Sequence, residues 1–215
     1  MARNFKQNQK MRDERREQIL STALKLFAAK GLAATKISDI AVASQISQGL
    51  LYHYFSSKEA IFVELIRGAF AQMNAAALAL EALSLTPRAK LEKAIRELLH
   101  SIADSEDFAR YVLLITQASV SEAIPPEAQA IMASEHNVPY AVIERIVEAG
   151  QSDGSIKPFV ARDLALVFWM IIKGLALHKA AHGAAFVAPD ARILTSLFFS
   201  STQNEGVQLY AASEE

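Results

Sequence analysis

The sequence has no cysteine and little glycine or proline, and each shortage excludes a class of structure. Without cysteine there is no disulfide framework, no thiol nucleophile and no thiolate site for zinc or an iron–sulfur cluster. With 8 glycines, 6 prolines and 52% hydrophobic residues among 215, the chain does not have the composition of a disordered protein. We therefore expect a folded globular protein of one or two domains that buries a substantial core without covalent or metal staples.

Long hydrophobic runs are also missing. The longest, residues 164–172, ends at Lys173, whereas a membrane-spanning helix needs about 20 apolar residues. The N-terminal segment, residues 1–16, is polar and lacks the apolar stretch of a signal peptide. We therefore expect no membrane insertion and a cytoplasmic location.

The charges are nearly balanced in total but are unevenly distributed along the chain. The formal net charge is −1, yet residues 1–60 carry a net charge of +5 and residues 61–215 a net charge of −6. A basic N-terminal segment joined to an acidic body is typical of a nucleic-acid-binding module attached to a region with a different partner.

Apolar residues recur at helical spacing through the chain, and no strand pattern or internal repeat interrupts them. Gly31 is expected to end the first helix in a left-handed conformation, and Ser47 to cap the third. Pro139 should kink or break a later helix. The fold class is therefore all-α. The helices with predicted bounds cover residues 11–30, 37–43, 48–54, 56–83, 161–182 and 189–201.

Residues 37–54 match a helix-turn-helix unit. The small side chain of Ala41 allows two helices to approach closely. The second helix then turns polar and aromatic side chains outward, within a basic segment. The shared core of this unit is predicted to contain Ile40, Ile46, Leu51 and Phe55.

An ordered series of positions extends this match well beyond the unit itself. It consists of residues 15–20, Phe27, Gly31, Ile40-Ala41, residues 46–55 and residues 57–59. Together these positions resemble the DNA-binding domain of the tetracycline-repressor (TetR) family, over about residues 12–65. Residues 148–156, with Asp163 and Gly174, resemble the C-terminal half of the family more loosely.

The resemblance implies a homodimeric regulator of two domains. Residues 1–57 would form the helix-turn-helix domain with a basic N-terminal arm, and residues 58–215 a larger helical domain for ligand binding and dimerisation. The implied partners are double-stranded operator DNA and a small-molecule effector, with no cofactor and no catalytic residue. The arm would carry Arg3, Lys6, Lys10 and Arg12.

By the same resemblance, the recognition helix and two helix starts supply the DNA contacts. A glutamine pairs bidentately with adenine, tyrosine hydroxyls reach phosphates, and a helix N-terminus favours a phosphate. Gln45 stands where the family commonly has glycine, which costs about 1 kcal/mol if the turn is left-handed. The predicted contacts are Thr35, Lys36, Gln48, Gly49, Leu50, Tyr52, His53, Tyr54 and Lys58.

Aromatic and methionine side chains in the C-terminal half predict a pocket for an apolar or amphipathic ligand, with Arg110 or His136 as its polar anchor. The expected lining residues are Phe108, Arg110, Tyr111, Ile115, Met132, His136, Tyr140, Phe168 and Trp169. The last two helices are expected to pair about a two-fold axis. That pairing would bury Leu166, Met170, Leu177, Leu194, Leu197 and Phe198.

Two alternative functions remain open from the sequence. One is a DNA-binding regulator that senses a partner protein in place of a small molecule. The other, less favoured, is an all-α enzyme, because no Ser-His-Asp order, paired carboxylates or phosphate loop is seen. His178 and His182 have the spacing of two metal ligands on one helix. However, Lys179 stands where zinc proteases carry glutamate and no third ligand is evident, so no metal site is predicted.

Overall fold

The structure is a computed structural model that describes residues 2–200, apart from the side chains of residues 2–6 and 8. This part of the chain contains helices and no strand, which confirms the all-α class. Its elements are α1 (Ala2–Ala34), α2 (Ile37–Ala43), α3 (Gln48–Tyr54), α4 (Lys58–Ala82), α5 (Pro87–Asp104), α6 (Glu106–Ser119), α7 (Pro126–Glu135), α8 (Asn137–Ser152), α9 (Ala161–His182), a 3₁₀ turn (Gly183–Ala185) and α10 (Ala191–Phe198).

Short polar side chains fix the starts of five helices. Each accepts a hydrogen bond from a backbone N–H in the first turn of its helix, where no carbonyl is available within the helix. The caps are Ser47 for α3, Ser57 for α4, Thr86 for α5, Ser105 for α6 and Asp190 for α10. The predicted cap at Ser47 is therefore confirmed.

The first helix differs from its prediction at both ends. It begins at Ala2, so the segment expected to form an arm is helical, and Lys10 and Arg12 lie on α1. The side chains of Arg3 and Lys6 lie outside the described residues. Gly31 interrupts the helix with φ 76° and ψ 166°, a conformation that glycine adopts readily because it has no Cβ.

The predicted interruption near Pro139 is present but is displaced toward the N-terminus. The chain breaks at His136, between α7 and α8, and Pro139 sits in the first turn of α8. Proline is tolerated there because the first N–H groups of a helix have no partner within it. α8 runs to Ser152.

Buried side chains form two clusters. The N-terminal core joins α1, α2, α3 and α4 to Leu114 and Ala118 of α6 and Ala128 of α7. The C-terminal core lies among α5, α8, α9 and α10. Leu194 and Phe198 of α10 are 5% and 1% exposed in that second core, so the expectation that they face a second subunit was wrong.

By length and composition alone, α4 and α9 are each apolar enough to cross a membrane. Core helices of a folded domain have the same property. Here α4 places Phe62 and Ile66 in the N-terminal core, and α9 places Phe168 and Ile172 in the C-terminal core. Each helix therefore packs one apolar face against neighbouring helices.

Candidate nucleic-acid interface

The turn between α2 and α3 has the geometry of a helix-turn-helix. The backbone N–H of Ser44 bonds to the carbonyl of Ile40 at 2.9 Å, and the N–H of Ile46 bonds to the carbonyl of Ala41 at 3.0 Å. Gln45, between them, has φ 56° and is the one non-glycine residue with positive φ in the described chain. The left-handed turn predicted at this position is therefore present without a glycine.

One face of α3 anchors it to the N-terminal core. Leu51 is fully buried and Phe55, just beyond the helix, is 4% exposed, while Ile40 and Ala41 supply the facing surface from α2. The guanidinium of Arg16 lies 4.8 Å from the centre of the Phe55 ring. The core predicted for this unit is confirmed, with Ile46 packed at its edge.

The opposite face of α3 is open to solvent. Leu50 is 42% and Tyr52 is 50% exposed, and Tyr54 is half-buried against the N-terminal core. A seven-residue helix anchored on one side and bare on the other has the form of an element that enters the major groove. The exposed residues of this face are Gln48, Gly49, Leu50, Tyr52 and His53.

Lys36, at the start of α2, is exposed. Its backbone N–H donates to the Asp39 carboxylate at 3.4 Å, and that carboxylate also lies 3.7 Å from Lys30 Nζ. The exposed Lys36 side chain therefore lies at the surface of the helix-turn-helix unit, next to a helix N-terminus that favours anions.

Thr35 occupies a structural position. Its side chain is fully buried, and its hydroxyl donates to the carbonyl of Gly31 at 2.8 Å. The prediction that this side chain contacts phosphate is contradicted, because the buried hydroxyl already donates its hydrogen bond within the irregular turn that ends α1.

Lys58 is likewise committed to the protein. Its ammonium donates to the carbonyl oxygens of Leu32, Ala33 and Thr35 at 2.8, 3.2 and 2.8 Å. An ammonium has three donors, and here each has a backbone acceptor at the end of α1. These bonds join the start of α4 to the end of α1, and the predicted phosphate contact of Lys58 stays a prediction.

Further polar contacts link α1 to α4 and α6, and sequence periodicity did not indicate them. Arg16 of α1 forms a bidentate ion pair with Glu64 of α4. Gln117 of α6 donates from Nε2 to the carbonyl of Ala28 in α1 at 3.2 Å. α1 is therefore held by α4 and α6 together.

Comparison with known proteins agrees with this geometry. The sequence model for bacterial regulatory proteins of the tetR family matches residues 19–65. The HTH-type transcriptional repressor KstR2 of Rhodococcus jostii is 33% identical over 72% of this chain and 74% of the relative. The HTH-type transcriptional repressor NicS of Pseudomonas putida is 27% identical over 66% of each chain.

The chain belongs to the TetR family. Its fold is also that of the MbdR regulator from Azoarcus sp. CIB, with a TM-score of 0.73 at 22% identity over 84% of this chain and 95% of that one. Membership makes the chain a DNA-binding transcriptional regulator and not an enzyme.

The ligand-lining residues predicted for this TetR-family regulator separate into different environments. Four pack in or against the C-terminal core, namely Phe108, Tyr140, Phe168 and Trp169. Three pack against the N-terminal core, namely Tyr111, Ile115 and Met132. Periodicity identified these positions as apolar, and the fold distributes them between two clusters.

The two predicted polar anchors do not offer a free charge to the interior. Arg110 bonds to the carboxylates of Glu106 and Asp107 on its own helix. Partial burial lowers the Arg110 pKa, but these hydrogen bonds outweigh it and hold the pKa above its usual value. His136 is exposed at the break between α7 and α8, with Nδ1 2.9 Å from the carbonyl of Met132.

Proposed function

We propose that this chain is a homodimeric cytoplasmic repressor that leaves a palindromic operator when a small apolar or amphipathic ligand binds its C-terminal helical domain. The observation that carries the DNA-binding half is α3, which is buried at Leu51 and open along the residues able to read bases. The curated relatives named as repressors support the sign of regulation.

Base reading is assigned to the exposed face of α3. Gln48 is the residue for a bidentate contact with adenine, and His53 presents its ring to a base edge. We assign the hydroxyls of Tyr52 and Tyr54 to phosphate contacts, and Gly49 to a close approach of the backbone. Lys36 adds a cation at the edge of this surface.

An apolar face on the last two helices supports the homodimer. On α9, Leu166, Val167 and Met170 are 48%, 44% and 47% exposed, and Leu197 of α10 is 46% exposed. Leu166, Met170 and Leu177 recur at helical spacing and share one side of α9. A contiguous exposed apolar face of this kind is typical of a protein interface.

We assign the ligand-induced release of the protein from DNA to a movement of α4. This helix starts against the end of α1 through Lys58, pairs with α1 through Glu64, and continues along α7 and α8. Displacing it changes the separation of the two recognition helices, which must lie about 34–36 Å apart to occupy successive turns of DNA. The ligand acts through its difference in affinity between the two arrangements.

Selection from random duplex DNA with the purified protein, near physiological salt, tests the proposal. We expect enrichment of a two-fold symmetric site whose affinity falls steeply with salt. Tyr52→Ala and His53→Ala should lose that site while the dimer remains intact by light scattering. An asymmetric consensus, or wild-type affinity in both variants, would overturn the dimeric reading or the assignment of contacts.

A further inference from the structure

Lys173 of α9 is a half-buried cation with an unusual partner. Its Nζ donates to the hydroxyl oxygen of Tyr140 at 2.8 Å and lies 5.2 Å from the centre of that ring. Within the part of the chain that the structure describes, no carboxylate oxygen lies within 4.0 Å of this ammonium. A partly desolvated charge without a counter-ion costs free energy that an incoming anion recovers.

Some half-buried cations of the described chain are held by carboxylates or by several backbone carbonyls. Arg16 pairs with Glu64, Arg88 pairs with Glu92, and the ammonium of Lys58 is shared among three backbone carbonyls. For Lys173, the hydrogen-bond partner among the described residues is the neutral phenol of Tyr140.

The surroundings of Lys173 are apolar and aromatic. Trp169, one turn earlier on α9, is 8% exposed, and its ring centre lies 5.8 Å from that of Tyr140. The indole N–H donates to the carbonyl of Pro139 at 3.2 Å, which fixes the ring.

We propose that Lys173 and Tyr140 bind the anionic head group, a carboxylate or a phosphate, of an amphipathic effector whose apolar body lies against Trp169. This assignment rests on the proposed function, since it names the chemical class of the ligand. The Tyr140 oxygen accepts from Lys173, so its O–H is free to donate to the same anion. Two converging donors beside an apolar wall form a binding site for an amphipathic anion.

Trp169 is the single tryptophan of the chain and reports directly on this site. The experiment titrates its fluorescence in the full-length protein with straight-chain carboxylates from hexanoate to tetradecanoate, alcohols of matched length, and decyl phosphate. We expect an anion to bind about tenfold or more tightly than the matched alcohol, as a charge-assisted hydrogen bond predicts. A preference for decyl phosphate over decanoate would assign the head group to phosphate, and the reverse to carboxylate.

Three variants locate the effect. Lys173→Met keeps the apolar stem and should abolish the preference for anions, and Tyr140→Phe should reduce it. Lys179→Met removes a lysine from the same helix, one that lies over Phe186, and should leave the preference unchanged. The assignment is overturned if anions and alcohols bind wild type equally, if no probe binds, or if Lys173→Met retains the preference.

Release from DNA is measured separately with the selected operator. If alcohols and carboxylates release the protein equally, ligand-controlled repression stands and the anion site falls. If carboxylates bind with dependence on Lys173 but release nothing, the anion site stands and ligand-controlled repression falls.

Discussion

Replacing Lys58 by methionine distinguishes a structural role from a phosphate contact. The three bonds from its ammonium to the carbonyls of Leu32, Ala33 and Thr35 hold the end of α1 against the start of α4. Losing charge-assisted bonds of this kind should lower the free energy of unfolding by about 2 kcal/mol. Urea denaturation measures that loss, with Lys25→Met, an exposed lysine of α1, as the control.

The salt dependence of operator binding provides the outcome that would contradict a structural role for Lys58. If Lys58→Met leaves stability unchanged but lowers the slope of log affinity against log salt by about one phosphate contact, the ammonium binds DNA and the structural assignment is wrong.

At the residue scale, the sequence predicted which side chains are exposed better than it predicted which residues they bond to. The open residues of α3 and the positive φ of Gln45 follow from local rules, because turn geometry and helix faces depend on neighbouring residues. The burial of Thr35 and the capping by Lys58 depend on where α4 starts relative to α1. That placement involves residues more than twenty positions apart, so no local pattern indicates it.

At the scale of elements, an ion pair makes the contact between α4 and α8 sensitive to pH. Arg145 donates from Nε and Nη2 to the two carboxylate oxygens of Glu81 at 2.6 and 2.8 Å. The hydrogen bond from Arg145 lowers the Glu81 pKa below its usual 4.5, against partial burial. The contribution of this ion pair to the free energy of unfolding is therefore complete above pH 4.5, the ordinary pKa of the carboxyl. It is lost as the pH falls through the lowered pKa of Glu81.

Glu81→Gln tests this contact. Because both side chains are partly exposed, the variant should lose only about 0.5 kcal/mol of unfolding free energy at neutral pH. The difference from wild type should vanish when pH falls below the Glu81 pKa, whereas Glu122→Gln, at an exposed position between α6 and α7, should show none. A difference that persists in acid would mean that packing, and not charge, joins α4 to α8.

The end of α8 is set by a close approach at Gly150. A Cβ placed there would lie 2.4 Å from Cδ1 and 2.6 Å from Cγ1 of Ile156, a residue that is 1% exposed. Gly150→Ala should therefore lose about 1–2 kcal/mol despite the helical preference of alanine. At Gly68 of α4, by contrast, an added Cβ would meet no neighbouring residue within 4 Å. Gly68→Ala should therefore raise the free energy of unfolding, and thermal or urea denaturation of both variants measures the difference. Equal gains in both variants would contradict the close packing.

Helix bounds were predictable wherever a cap or a breaker stands in the sequence. The bounds of α2 and α3 agree with their predictions, and α4 starts beside its Ser57 cap. α1 exceeded its prediction because residues 2–10 are polar and carry no apolar stripe, which is the signal that defines a helix packed on a core. The break at His136 is displaced from Pro139 because proline fits the first turn of a new helix.

At the scale of the whole molecule, the sequence indicated which residues are buried but not which neighbours they meet. Tyr111 and Phe108 are three residues apart on α6, yet one packs against the N-terminal core and the other against the C-terminal core. α6 is thus shared between the two clusters, and a pocket drawn from apolar periodicity alone merges them. Lys173 was missed for the related reason that an isolated lysine in an apolar run gives no sign of its partners.

The proposed dimer makes a prediction about the whole molecule. Met170 is 47% exposed near the middle of the apolar face of α9, so Met170→Glu places a charge where a second copy is expected to pack. We expect a folded monomer by light scattering. Loss of the second recognition helix should then weaken operator binding by about 100-fold, since a linked pair binds far more tightly than one site.

Val120→Glu, at an 83% exposed position between α6 and α7, provides the matched control and should remain dimeric with wild-type affinity. Circular dichroism distinguishes a monomer from an unfolded chain, because Met170 contributes little to the C-terminal core and its replacement should preserve the helical signal. A Met170→Glu protein that stays dimeric would move the interface away from this face of α9. A monomer with full operator affinity would instead separate DNA recognition from dimerisation, and the two-fold symmetry proposed for the operator would lose its structural basis.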